Sequence, residues 1–209
     1  MKTLRERGGR TSRQLRQTVA HLAGQLLMED GALSYGAARR KAAERIGNVR
    51  GRDLPDLAEV EAALMESQRI FGGALHAERQ QESRLEALQA MKFLAEFEPR
   101  LVGRILAGTA GRESPVCLHV FAETAEEVLA YLYDRGVPCE LGERRFSDLG
   151  TYPMIRFVAG VRRIELVVFP HNGPRQAPLS DVTGKPMARA DISTVRALVD
   201  RPGTAGAAS

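Results

Sequence analysis

The residues with the most chemical character stand in one short stretch, VCLHVF, where Cys117 and His119 lie two apart. Val116, Leu118 and Val120 alternate with Cys117, His119 and Phe121, so a pleated strand sends the first three to one face and the second three to the other. A thiol and an imidazole on one face are the parts of an activated nucleophile, or two ligands for a soft metal such as Zn²⁺. Strand neighbours at i and i+2 are about 7 Å apart at Cα. Either chemistry therefore needs a third group, for which Glu165 and Cys139 are the candidates. The plainer reading of the same pair is a buried cysteine beside a half-buried, hydrogen-bonded histidine.

Two other groups of polar residues invite a functional reading. His171, Asn172, Arg175, Asp181 and Lys185 share the loop after the segment Ile164–Val168, and loops at sheet ends often carry binding residues. Proline and glycine describe the same loop as solvated turns. Arg162 and Arg163 either steer a phosphate or cap the exposed side of a hairpin. The third group is Arg39, Arg40 and Lys41, on the outer face of an N-terminal helix. Residues 1–52 hold twelve lysines and arginines against four acids, whereas the rest of the chain holds eighteen against twenty-two. Such a basic region is the electrostatic signature of a surface for nucleic-acid phosphates, although a solvated helix face or a simple helical hairpin has the same composition.

The elements that must position these residues follow from periodicity and punctuation. An apolar segment, Leu101 to Leu106, runs into the small-residue turn Gly108-Thr109-Ala110-Gly111, then to Pro115 and the strand 116–121. Thr124 is placed to cap a helix from Ala125 to Tyr133, with Glu126 and Glu127 in its first turn and Gly136 closing it. The unit reads strand, glycine turn, strand, helix.

Upstream, a basic tail to Ser12 precedes a helix carrying Leu15, Val19, Leu22 and Leu26, with Gly31 placed to end it. Ser34 is an N-cap for a second helix to Ile46, with Ala37, Ala38, Ala42 and Ala43 inside. Asp56 restarts a helix with Leu57, Val60, Leu64 and Phe71, and Gly72-Gly73 interrupts it. Leu75 to Phe97 is a further helical stretch ending at Pro99, whose Leu85 and Leu88 are candidates for self-association. Downstream, 137–146, 154–159 and 161–169 read as strands, the last two a hairpin turning at Gly160. A closing helix over 191–198 precedes a tail, 201–209, expected to be disordered. The fold class is α+β, with a helical region over 1–99 and a small mixed sheet with flanking helices over 100–200.

Composition sets limits. Of 209 residues, 44% are hydrophobic but only 5% aromatic, and tryptophan is absent, so no aromatic platform for stacking bases is expected. The two cysteines lack the spacing of a disulfide framework, which predicts free thiols in a cytoplasmic protein. No apolar run approaches the roughly 20 residues of a membrane span, so no membrane partner is expected.

Leu106-Ala107-Gly108-Thr109, the strand and helix that follow, and the strand Ile164-Glu165-Leu166-Val167-Val168 together resemble the DNA polymerase β-like nucleotidyltransferase superfamily. The resemblance spans roughly residues 100–170. In that family a Gly-Ser turn brings backbone N–H groups to nucleotide phosphates, and strand carboxylates hold two Mg²⁺ ions. The resemblance implies a nucleoside triphosphate cradled by Gly108 and Thr109, neutralised by Arg112 and bordered by His119, with Glu165 as catalytic carboxylate and Mg²⁺ ligand. The family's paired acids fall near Cys117 and His119, neither of which is a carboxylate. The resemblance therefore implies two alternatives. One is Mg²⁺-dependent nucleotidyl transfer, with loop carboxylates such as Glu113 or Glu123 completing the site. The other is an inactive relative that keeps a cleft for nucleotide or nucleic acid.

Overall fold

The computed structural model describes residues 2–171 and 177–200, with side chains from Ser12 onward. The chain separates into two compact units, Met1–Gly73 and Ala74–Ser209. The division falls at the Gly72-Gly73 break rather than near residue 99.

The first unit holds three helices: α1 (Lys2–Glu29), α2 (Tyr35–Ile46) and α3 (Leu57–Phe71). Helix α1 starts well before Ser12, where the apolar period begins. The two later helix starts lie where their caps predict. The Ser34 side chain accepts from the Ala37 N–H, and Asp56 forms a reciprocal capping box with Glu59. Val19, Ala23, Leu26 and Leu27 of α1 pack with Ala38, Ala42, Val60 and Leu64. Arg16 donates to the Glu59 carboxylate at 2.8 Å and also pairs with Asp56 at 3.7 Å, so it ties α1 to both carboxylates of the capping box.

Gly24 sets how closely α1 meets α3. A Cβ there would stand 3.0 Å from the Leu64 nitrogen and 3.1 Å from the Ala63 carbonyl carbon, both backbone atoms. Alanine would be worth about 1 kcal/mol in helix propensity at such a site, so the close approach is what favours glycine. Gly24→Ala is expected to lower stability by about 1–2 kcal/mol net through forced separation of the helices. Urea unfolding of the full chain, with amide exchange across α1 and α3, checks this; a stabilised variant would show that α3 can retreat freely.

The second unit contains α4 (Gly73–Phe93), β1 (Arg100–Val102), α5 (Gly103–Ala107), β2 (Val116–Phe121), α6 (Ala125–Asp134), β3 (Cys139–Phe146), β4 (Gly150–Ala159), β5 (Arg162–Phe169) and α7 (Ile192–Asp200). The five described strands form one mixed sheet in the order β1-β2-β5-β4-β3, in which only β2 and β5 are parallel. This is the α+β architecture the sequence predicts.

Helix α4 belongs here because its Ala87, Leu88, Ala90 and Met91 enter one core with Val116, Leu118 and Val120 of β2, Ile164, Leu166 and Val168 of β5, and Val128 and Leu132 of α6. Leu85, by contrast, is 44% exposed. The apolar run 101–106 is only half a strand. After Val102 the chain turns through Gly103 at φ +73° into the single helical turn of α5, which Gly108 closes in the left-handed conformation at φ +75°. Thr124 has the extended backbone of an N-cap but its side chain makes no cap bond; the Glu127 carboxylate takes up the Glu123 N–H instead. Gly160, at φ +63°, makes the predicted β4–β5 turn. Asp191 caps α7 by accepting from the Thr194 N–H at 2.7 Å.

Candidate functional site

One sheet face carries the main core. The other carries the chemistry. Alternation places Cys117, His119 and Phe121 of β2 beside Glu165, Val167 and Phe169 of β5, with Tyr152, Met154 and Arg156 of β4 and Arg144 and Phe146 of β3 beyond them. At one end, Phe146, Met154, Val167 and Phe169 form a second apolar cluster, to which Phe121, Tyr152 and Met187 contribute.

Cys117 and Glu165 are paired in register across the parallel strands, and the thiol lies 3.9 Å from a Glu165 carboxylate oxygen. On the other side of Glu165, and also in register, Arg156 brings its Nε to 3.7 Å. Gly142 makes room for this, since a Cβ there would stand 2.9 Å from the Arg156 guanidinium. Burial and the adjacent carboxylate push the Cys117 thiol up to about 12, so the sulfur is a neutral thiol at physiological pH. Arg104 of α5 and Arg144 of β3 lie within electrostatic reach of the same sulfur and act in the opposite sense.

His119 is almost wholly buried and does not pair with Cys117. Its Nδ1 accepts from Arg189 Nε at 3.0 Å, and its ring tilts against Phe169 and meets Phe146 edge-on. The Arg189 guanidinium also lies over the Phe169 and Phe121 rings, at 5.3 and 5.7 Å from their centroids. Burial, with Arg189 and Arg144 nearby, holds the imidazole down to about 3 and therefore neutral.

Cys139, the other candidate third ligand, packs against the opposite, core face of the sheet. Both cysteines are free. Among the described residues no three histidines, cysteines, aspartates or glutamates gather closely enough to hold a metal ion.

The Gly108-Thr109 turn is bonded from several sides. The N–H of Thr109 donates to the Arg104 carbonyl, and that of Gly111 to Ser114 Oγ. The Thr109 carbonyl receives the Arg104 guanidinium at 2.9 Å, and the Ala110 carbonyl receives Gln80 at 2.8 Å. His76 lies 3.3 Å from the Gly108 carbonyl. Thr109 is buried, while Arg112 is exposed and lends its carbonyl to Arg162.

Arg162 does not face solvent. It is 8% exposed and reaches Glu86, Ser83 and the carbonyls of Arg112 and Ser114. Arg163 is exposed. In the first unit, Arg40 and Lys41 are exposed on α2, while Arg39 donates to the Pro55 carbonyl at 3.3 Å. Asp181 pairs with Arg144 at 3.7 Å, and His171 and Lys185 are exposed. Asn172, Arg175 and the tail 201–209 lie outside the described residues.

Arg104, Arg144, Arg156 and Arg189 were not distinguishable as a group in the sequence. Strand parity is a signal for Arg144 and Arg156 alone, and it acquires meaning once β4 is known to pair with β5 and β3 with β4; Arg104 in α5 and Arg189 before α7 carry no such signal. No protein-family model, no curated protein and no solved structure matches this chain. No described helix is long and apolar enough to cross a membrane.

Proposed function

We propose that the second unit is a nucleotide-binding module of nucleotidyltransferase-like arrangement whose binding surface is the Cys117–Glu165 end of the sheet face opposite the main core and whose metal-dependent chemistry is absent. The reading rests on the row Cys117, Glu165, Arg156. Where the resemblance requires several carboxylates around Mg²⁺, this row supplies one carboxylate, flanked by a neutral thiol and a guanidinium. Mg²⁺ demands hard oxygen ligands in near-octahedral array, so this donor set does not fit it, and no transfer step is derived through the metal. The same surroundings suit phosphate. Arg156 pairs with Glu165, and Arg104 and Arg144 lie within electrostatic reach of Cys117, so planar, permanently charged groups stand near this position for an anion that carries its own oxygens.

The test is calorimetric titration of the full chain with nucleoside triphosphates, with and without Mg²⁺. Micromolar binding that persists without Mg²⁺, and is unchanged or tightened in Glu165→Gln, is the expected result, because that substitution releases Arg156. Binding that requires Mg²⁺ and disappears in Glu165→Gln would overturn the reading in favour of a working transferase. Binding of single-stranded nucleic acid alone, with a steep salt dependence that Arg40→Gln and Lys41→Gln reduce, would move the function to the basic helices of the first unit.

A further inference from the structure

The two edges of the sheet end differently. Strand β1 is three residues long, and its Leu101 N–H and carbonyl bond with the Ala190 carbonyl and N–H at 2.8 and 3.0 Å, so that edge is closed. Strand β3 is eight residues long and stands last in the strand order, and no described strand pairs with its outer side. It meets β4 in unbroken register, from Cys139 opposite Phe157 to Phe146 opposite Gly150, and it contains no proline. Shortness, bulges, prolines and charge are the devices that keep an exposed edge from pairing with another strand. The first three are absent from β3, which leaves charge to decide.

The charges of β3 are of both signs, and their order is complementary to its own reverse. Glu140 and Arg144 are exposed on the face that carries Arg156, with Gly142 midway between them. A second copy that pairs antiparallel about a twofold axis normal to the sheet keeps like faces together, so the axis must pass through a residue and not between two. Centred on Gly142, Glu140 of each strand stands opposite Arg144 of the other, and both pairs form at once. Centred on Glu143 or on Arg144, that residue would oppose its own copy, and centred on Leu141, Arg144 would fall opposite Pro138, outside the strand. Charge therefore selects one register. On the reverse face the same register makes Leu141, 60% exposed in the single chain, a diagonal neighbour of its copy. Gly142 brings no side chain to the axis, and the space above it already holds the Arg156 guanidinium.

We propose that β3 is an interface between two copies of this chain, which join edge to edge in the Gly142-centred register so that the two five-stranded sheets become one. The inference is independent of the nucleotide-binding reading. Sedimentation velocity of the full chain over a concentration series tests it, with Glu140→Arg, Arg144→Glu and an equimolar mixture of the two. The native chain is expected to be a dimer that dissociates on dilution. Each variant alone sets two like-charge pairs across the axis and is expected to raise the dissociation constant about 10- to 30-fold. Both positions are exposed, so the dilute variants should keep the thermal midpoint of the dilute native chain. In the mixture an arginine at 140 meets a glutamate at 144, and the untouched Arg144 meets the untouched Glu140, so a heterodimer of near-native affinity should form. Amide exchange gives a second readout: alternate β3 amides, those aimed away from β4, should be protected in the dimer and exposed on dilution.

A native chain that stays monomeric at several hundred micromolar would overturn the interface. So would a dimer that neither variant weakens, or a mixture that associates no better than its two components. A dimer disrupted by Leu85→Gln but not by the charge variants would place the contact on α4, and would overturn the β3 pairing in favour of self-association through that helix.

Discussion

Replacing Arg162 by methionine is expected to lower the stability of the second unit by about 3 kcal/mol, the largest effect of any single substitution considered. Arg162 begins β5 on the face that carries Ile164, Leu166 and Val168, yet it is a cation. Its Nε and a terminal nitrogen each lie 2.6 Å from the Glu86 carboxylate of α4. The remaining donors take the Arg112 carbonyl at 2.8 Å, the Ser114 carbonyl at 3.1 Å and Ser83 Oγ at 3.3 Å.

One guanidinium thus joins helix α4, the segment leading into β2, and β5. Methionine matches the length of the stem but supplies no donor. It leaves the Glu86 charge, only 26% exposed, without its partner, which is the costly way to break such a pair. Arg162→Lys should lose less, about 1–2 kcal/mol, because it can keep Glu86 but not the fork. Glu86→Met in the Arg162→Met background should recover part of the loss, since the orphaned charge is then gone. Urea unfolding of the four proteins measures this. A loss below about 1 kcal/mol for Arg162→Met would place the pair among ordinary surface ion pairs and remove its role as a clamp.

Arg162 also shows what could be read in advance and what could not. Strand parity alone puts it on the same face as Ile164. The natural expectation for an arginine is nevertheless solvent or phosphate, because nothing in β5 announces that Glu86 waits 76 positions earlier. Local signals were legible wherever they were chemical and short-range. Ser34, Asp56 and Gly160 each act within four residues, and each lies where its cap or turn was read.

The alternation in VCLHVF gave β2 its bounds and its two faces. Leu101–Leu106 reads as one apolar segment, yet its four apolar residues are interrupted by Gly103 and Arg104, and the left-handed Gly103 divides it into a short strand and a helical turn. The division between units escaped composition because α4 looks polar. Only Leu88 and Met91 of its buried positions are strongly apolar; Ser83, Ala87 and Ala90 carry little hydropathy but allow close packing, and Gln80 is polar. The site itself was legible as single residues, not as neighbours. Cys117 meets Glu165 only because β2 runs parallel to β5, a pairing made across two intervening strands and a helix.

His119 predicts a measurable dependence of stability on pH. In the fold its Nδ1 is an acceptor for Arg189, so the neutral tautomer protonated at Nε2 is the one that fits, and a second proton would set an imidazolium against a guanidinium. The charged groups that face it are Arg189, from the segment before α7, and Arg144 of β3; both repel a proton, and burial does the most. The folded value, about 3, lies below the 6.5 of an exposed imidazole.

The unfolded chain therefore binds one more proton than the folded chain between those limits, and stability falls as pH drops through 6.5 towards 3. The slope from this one group approaches about 1.4 kcal/mol per pH unit, so the loss between pH 7 and pH 5 is about 2 kcal/mol. Asp191, held down to about 2 by its cap bonds to Thr194 and Ser193, acts in the same direction but only at pH below its ordinary 3.8. It therefore does not confuse a comparison made at pH 5 and above. His119→Gln keeps a hydrogen-bond acceptor for Arg189 and removes the titration. Its stability should be lower than the native value at pH 7, yet nearly flat to pH 5 once other groups are subtracted by comparing the two proteins. Native and variant curves of equal slope over that interval would show that water reaches the imidazole, and that His119 is not the sealed contact between β2 and Arg189 described above.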